Sequence, residues 1–386
     1  MKLTVKRLLK QDELQQINKL KRIDKKYETC ENLNRQTDRQ TDRQTDRQTD
    51  RQTDRQTDRQ TDRQTDRCVY YDVLKIISAF FIVFYHFGRL DFGTFSEGVY
   101  TPNVNRVITN ITVLSIPIFF MVTGALIFNK NYSIEKVYTK AAKIALVIFI
   151  WSFTGFPSWF LKTLLIIYLI YPILIKIFEN KKLCTLASIA LFIFPYLYNE
   201  MYVLLIRFFP NFSFNILGKE ITIDTLPGIT GLFTMYSILY MFIGAYLSTH
   251  KTNTIFGIFA TIVGIGLVTF DGTALSNHNG IIYDSVNGCF PTISAMIASV
   301  GFFSIVKNIN IKNEKIVKVT TFLGSRVLYT YLFHAMLINI FRKYLLTQEH
   351  YNLLLMLLMS LLVFALSFLI GFILEKIPLV KNLVKI

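Results

Sequence analysis

From Val69 onward the chain is a series of apolar runs separated by short loops, and this pattern leaves few folds open. Lipid offers the backbone no hydrogen-bond partner, so a chain that crosses it must do so as helices or as a closed barrel. About 20 apolar residues in a row span the ~30 Å hydrocarbon core as a helix. Ten runs answer this description: 71–88, 108–128, 142–156, 159–178, 183–198, 228–248, 255–270, 288–306, 321–341 and 352–374. The runs 142–156 and 183–198 are short, which leaves nine or eleven spans open. The expected fold class is all-α, a polytopic integral membrane protein of about ten transmembrane helices.

The formal charge of +16 could suggest a nucleic-acid binder, but no nucleic-acid partner is expected. The cations lie mostly in the short loops, where they report membrane orientation instead. With the N-terminus inside, the inner loops hold fifteen lysines, among them Lys130, Lys176, Lys251, Lys312 and Lys376. The outer loops hold seven cations: Arg89, Arg106, Lys162, Arg207, Lys219, Arg342 and Lys343. That asymmetry predicts cytoplasmic N- and C-termini, with 89–107, 199–227 and 271–287 as the long outer loops. Cys30, Cys68, Cys184 and Cys289 are scattered, so neither a metal site nor a disulfide framework is expected. No cleavable signal precedes the first span, which is expected to act as an uncleaved anchor.

The first span carries two ionisable residues, Lys75 and His86. Charges inside a membrane helix are costly and mark functional positions. Eleven residues at ~100° each return to within roughly 20° of the start with a rise of ~16 Å, so both share one helix face three turns apart. This suits an anionic ligand held at one surface whose reactive end reaches a buried base. The alternative is a snorkelling lysine and a histidine satisfied by a neighbouring helix. Arg326 and His334 repeat the order of cation then histidine in the ninth span, within Gly324-Ser325-Arg326-Val-Leu-Tyr329-Thr-Tyr331-Leu-Phe-His334.

Other motifs are weaker alone. Ile116-Pro117-Ile-Phe119-Phe120-x-x-x-Gly124 combines a proline, which frees a backbone carbonyl, with a glycine that admits a close helix neighbour. Trp159-Phe160-Leu, with Tyr168-x-x-x-Pro172 after it, sets an aromatic pair before a mid-span proline. Together and in this order, with Asp72-x-x-Lys75 and His86, these pieces resemble the acyltransferase 3 family of ten-span membrane O-acyltransferases. The resemblance covers roughly 69–375 and is nearest the branch of the enterobacterial common antigen O-acetyltransferase. It implies an enzyme of the bacterial inner membrane that moves an acetyl or other short acyl group from cytoplasmic acyl-CoA to a sugar hydroxyl. The acceptor would be a surface glycan or glycolipid precursor, such as that of a lipopolysaccharide.

By that resemblance His86 is the essential base, with His334 as a second proton acceptor or orienting partner. Lys75 and Arg326, with Asp72 and Ser325 beside them, would receive acetyl-CoA, and no metal is implied. Two departures stand out: Val113 occupies the position where many members have an arginine, and Pro157 the position of a histidine two residues before the Trp-Phe pair. A deletion near 144–158 would impair the enzyme, or shift a role onto Arg106 or Lys162. A transporter or flippase of lipid-linked glycans, and an inactive family member, remain as alternative readings. The two halves of the chain show no convincing duplication of the kind that supports a transporter.

The N-terminal region stands apart. Residues 1–34 are basic, 35–67 form a tether of eight Arg-Gln-Thr-Asp units and Arg67, the membrane domain is 69–375, and 376–386 is a tail. The repeat has no apolar residue and a period that misses the helical 3.6, so it is expected to be a solvated, disordered segment. Its gene solution is informative: the tetranucleotide GACA read in frame encodes Asp-Arg-Gln-Thr. Such tracts slip during replication, and after Met1 the next methionine is Met121, beyond the first span. Phase variation by frame change is therefore expected.

Overall fold

The computed structural model describes residues 68–87, 93–129, 132–153, 159–209, 211–216, 219–222, 235–284, 286, 290–344 and 352–377. The basic segment 1–34, the repeat tether 35–67, Pro157 and the tail beyond 377 lie outside the described residues.

Over their described residues, all ten apolar runs are largely helical. α1 (Val69–Phe87) leads to a hairpin of β1 (Gly93–Ser96) and β2 (Val99–Pro102). Next come α2 (Val104–Asn110), a 3-10 turn, α3 (Ser115–Phe128), α4 (Ile134–Ser152), α5 (Trp159–Leu169) and α6 (Tyr171–Glu179). α7 (Lys181–Leu191) and α8 (Tyr198–Phe208) are joined by a π-helical turn, followed by a second hairpin, β3 (Ser213–Ile216) with β4 (Lys219–Thr222). α9 (Met235–Thr249), α10 (Thr254–Asn279), α11 (Ile293–Lys307), α12 (Glu314–Gly324), α13 (Val327–Tyr344) and α14 (Leu353–Glu375) complete the bundle.

Among the described residues, five helices are long and apolar enough to cross a membrane, or six if α5 and α6, bent by 66° at their junction, count as one span. Pro172 near the start of α6 explains that break, since proline lacks the N–H that would continue the helix. α9 and α11 are apolar but shorter. α4 carries Glu135, Lys136, Lys140 and Lys143, and α13 carries His334, Asn339, Arg342 and Lys343, which lowers their apolar character. Outward-facing Ile255, Phe259 and Ile262 on α10, and Leu354, Leu358 and Leu361 on α14, leave large side chains exposed in a way that suits lipid, not water.

Two spans are longer than the sequence predicts. The run 183–198 continues as helix to Phe208, and 255–270 continues to Asn279. Glu200 and Asp271 interrupt the apolar pattern, yet both have partners. Glu200 Oε2 accepts from the Ile293 amide at 3.2 Å, and Asp271 accepts from the Ser294 hydroxyl. The connections 89–107 and 199–227 also hold the two hairpins, which the sequence leaves as irregular. β1 and β2 turn at Glu97–Gly98, both with positive φ, and the Tyr100 amide donates to Asn277 Oδ1 at 2.6 Å, seating the hairpin on α10.

α1 is the hub of the bundle, packing on α3, α11, α12, α13 and α14. Gly124 of α3 lies against the Met241 backbone of α9, and Gly244 of α9 against that of Met121, so the two helices cross with backbones almost touching. A β-carbon at either glycine would collide with the opposing main chain. This placement of small residues supplies the dispersion contacts that join helices in lipid.

Candidate active site

At one end of α1, Asp72 lies buried in the first helical turn and its Oδ1 meets Lys75 Nζ at 2.6 Å. Gly324, the last residue of α12, packs on the Asp72 side chain. The Ser325–Arg326 turn that follows is thereby brought beside the Asp72–Lys75 pair. Arg326 Nε meets Glu375 Oε2 at 2.9 Å, and the Tyr329 hydroxyl donates to the same oxygen at 2.5 Å. The Arg326 guanidinium also lies over the Phe322 ring at 4.1 Å and donates to Ser325 Oγ at 3.1 Å. The four residues read as a donor-binding group thus form one cluster, but its cations already face Asp72 and Glu375. A phosphate arriving here competes with two carboxylates. Glu375, at the end of α14, is a participant the sequence offered no spacing signal for.

At the other end of α1 the two histidines meet. The His86 and His334 ring centroids are 5.1 Å apart, His86 supplied by α1 and His334 by the parallel α13. His334 is fully enclosed. Its Nδ1 lies 2.9 Å from both the Thr330 and Tyr331 carbonyls. Carbonyls only accept, so in the neutral ring Nδ1 carries the hydrogen and Nε2 presents a lone pair. Nε2 is buried without a hydrogen-bond partner among the described residues. A neutral nitrogen base held in this way can take a proton from its neighbour.

His86, by contrast, lines a cavity of about 300 Å³. Its walls include Tyr85, Arg106, Asn110, Asp284 and Arg342. Arg342, from the last turn of α13, donates to the His86 carbonyl, tying the C-terminal end of α1 to the same helix that carries His334. Arg106 is 5% exposed and donates to the Tyr283 carbonyl. The Tyr85 hydroxyl donates to Asp284. Asn110 fixes α2 on α10 through Thr269 Oγ1 at 2.8 Å. Of the two residues onto which a deletion near 144–158 would shift a role, Arg106 stands in the cavity wall and Lys162 does not. Arg342 and Asp284 were missed as site residues. Arg342 was counted only as a loop cation, and Asp284 only as part of an outer loop. A second, mainly apolar groove of about 650 Å³ lies along α7 and α9 and includes neither histidine.

Chemically, the His86 cavity offers a base at its wall, a second base behind it, and polar groups able to orient a hydroxyl compound. A model of the acyltransferase domain (acyltransferase 3) matches the chain over residues 69–157 and 155–375. The two segments meet where the third run is short and Pro157 stands. No curated protein and no solved structure matches the chain. The chain belongs to the acyltransferase 3 family: it is a membrane acyltransferase, an enzyme with an acyl donor and an acceptor.

Proposed function

We propose that this member of the acyltransferase 3 family transfers an acetyl or other short acyl group from acyl-CoA to a sugar hydroxyl of a surface glycan or glycolipid precursor. The observation that carries the reading is the His86–His334 pair at the head of a polar cavity. A sugar hydroxyl is a poor nucleophile at neutral pH and needs a positioned base, for which imidazole is suited. His86 takes the hydroxyl proton as the oxygen attacks the thioester carbonyl. The carbon–sulfur bond then breaks, and the leaving CoA thiolate receives a proton from the imidazolium. His334 Nε2 stands behind His86 as acceptor or orienting partner. Acyl-CoA is a substrate here, bound from the Lys75 and Arg326 end with Asp72 and Ser325 nearby, and no metal takes part in the proposed step.

The decisive experiment supplies acyl-labelled acetyl-CoA to membranes that carry only this protein together with a glycan acceptor. Label in the glycan supports the reading, and its absence with folded protein present favours an inactive member. The break in the family match at 155–157 is the observation on that second side. The intact histidine pair stands on the first.

Lys75 and Arg326 suit the phosphates of CoA as cations at the inner face. Lys75→Ala should raise the KM for acetyl-CoA more than it lowers kcat, while Lys75→Arg keeps much of the activity. A defect confined to the KM of the glycan would contradict the assignment. The inner-membrane placement rests on the family resemblance, and the cytoplasmic placement of both termini on the lysine asymmetry. Reporter fusions near Thr252 and Asn313 should report inside, and those near Asn103 and Asn215 outside. An inside signal at Asn103 would invert the scheme.

The repeat is proposed as a switch on expression with no part in catalysis. Deleting residues 35–66 in frame should leave activity within about twofold of the full chain, since a solvated tether without apolar residues holds nothing in place. Sequencing the tract tests the switch. Synonymous codon variation among the eight units would remove the slipping tetranucleotide and phase variation with it.

A further inference from the structure

A hydroxyl buried in a membrane helix commonly finds its partner one turn back along its own backbone. Thr123, Thr261, Ser299, Ser360 and Ser367 all donate to the carbonyl four residues earlier, at 2.7–2.8 Å. Thr330 departs from this pattern. It is 1% exposed, and its Oγ1 is buried without a hydrogen-bond partner among the described residues. The local backbone gives the reason. The Arg326 carbonyl, its acceptor by that pattern, takes the Tyr329 amide at 2.9 Å in the tight turn that opens α13. A buried polar group left in this way calls for an explanation, and a position in a catalytic site supplies one.

Thr330 stands one turn from His334, ~6 Å along the axis and about 40° around it. Ring contacts fix the rotation of α13: His334 meets His86 of α1, Phe333 meets Trp151 of α4 at 5.2 Å, and Tyr331 meets Phe160 of α5 at 5.5 Å. Position 330 therefore falls between the directions of Trp151 and His86. His334 Nε2 is also buried without a hydrogen-bond partner among the described residues. A hydrogen-bond donor and a nitrogen base thus lie a turn apart beside His86. Thr330 is on the Arg326 side of His334, four residues from each, so a group arriving from that end reaches the hydroxyl first. The cavity lies beyond, at the His86 end.

We propose that Thr330 is a catalytic residue whose hydroxyl donates to the carbonyl oxygen of the acyl thioester. The proposal rests on the reading of the histidine pair as the site of acyl transfer from acyl-CoA, and adds to it the group that stabilises the oxyanion. As the acceptor oxygen adds to the carbonyl carbon, the carbon–oxygen π pair moves onto the oxygen. Thr330 keeps its own proton and hydrogen-bonds that oxygen. The pair returns as the carbon–sulfur bond breaks, and the CoA thiolate takes the proton held by His86. A fixed donor in an enclosed site gains strength as charge develops on its partner, which favours the transition state over the bound thioester. Because Thr330 and His334 are both enclosed, entry of the thioester parts α1 from α13 along this face.

Thr330→Val is the test, because valine keeps the branched shape and removes the hydroxyl. Label transfer from acetyl-CoA to a total glycolipid extract, in membranes carrying the full chain, should fall about 10²–10³-fold in kcat, the effect of removing one oxyanion donor. Thr330→Ser should keep much of the activity. The Tm of Thr330→Val should stay level or rise, since the lost hydroxyl holds no bond in the fold. Calorimetric titration of the purified full chain adds a readout that needs no acceptor. Acetyl-dethia-CoA is a ketone that keeps the carbonyl, and S-ethyl-CoA lacks it. The unmodified protein should bind the ketone roughly twofold to tenfold tighter, the range of one hydrogen bond, and Thr330→Val should bind the two equally.

Unchanged transfer by Thr330→Val would overturn the proposal and leave the acyl-transfer reading standing. So would a ketone preference that survives in Thr330→Val. A Tm that falls together with the rate in both Thr330→Val and Thr330→Ser assigns the hydroxyl to packing and also overturns it. Where the unmodified protein transfers no label, the titrations decide. A ketone preference lost in Thr330→Val keeps the hydroxyl as a thioester contact and removes only the glycan acceptor. Equal binding of the two analogues, or binding of neither, removes the proposal.

Discussion

His86→Ala should lower acyl transfer by about 10²–10⁴-fold, the range that a positioned general base contributes, while membrane abundance stays the same. The abundance follows from the position of the side chain. His86 faces the cavity, and the groups that hold this end of α1 are the buried Ile82, Val83 and Phe87 and the bond from Arg342 to the His86 carbonyl. Truncating the imidazole leaves all of these in place. His334→Ala should differ in kind. Its ring is enclosed and its Nδ1 bonds the α13 carbonyls, so loss of the ring opens a cavity and costs stability as well as rate. Label transfer and protein amount measured on the same membranes distinguish the two outcomes. Full activity in His86→Ala would remove the central chemical claim.

Gly124→Val should leave little folded protein. The added side chain meets the main chain of α9 at Met241, and a helix backbone cannot move aside as a side-chain tip can. The opposite contact, Gly244 on Met121, means that separating the helices to relieve one clash also breaks the other close approach. Overpacking in ordinary cores costs 1–3 kcal/mol, and a collision with backbone should lie at or above about 3 kcal/mol. Loss of the monodisperse peak in detergent, with a lowered Tm for any protein recovered, is the expected measurement. Gly266, on α10, has open space where its β-carbon would be, and Gly266→Ala should be tolerated, serving as the control.

Much of the candidate site's layout was legible along the chain. Lys75 and His86 share a helix face by spacing alone, and Arg326 with His334 repeats the order. What the spacing cannot express is which partners those side chains meet. Lys75 takes Asp72 three residues before it, a contact within one helix that sequence can anticipate. Arg326 takes Glu375, forty-nine residues away on another helix, and that pairing exists only because α13 and α14 pack together. The same holds for the cavity. Arg106, Asp284 and Arg342 come from three separate regions of the chain and become neighbours through the packing of α2, α10 and α13 around the end of α1.

Span lengths divide in the same way. Apolar content alone placed a helix at every one of the ten runs, because lipid forces any apolar segment of sufficient length to satisfy its backbone internally. It cut two of them short at Glu200 and Asp271, because an unpartnered carboxylate in lipid is too costly to place inside a span. Tertiary structure supplied the missing partners, the Ile293 amide for Glu200 and the Ser294 hydroxyl for Asp271, and with them the helices run on to Phe208 and Asn279. The sequence by itself determined the helices and the face on which the histidine of α1 lies. Which charges those helices can keep buried, and which of them gather at His86, was decided by packing, since a charge becomes tolerable only where a partner from elsewhere in the chain arrives beside it.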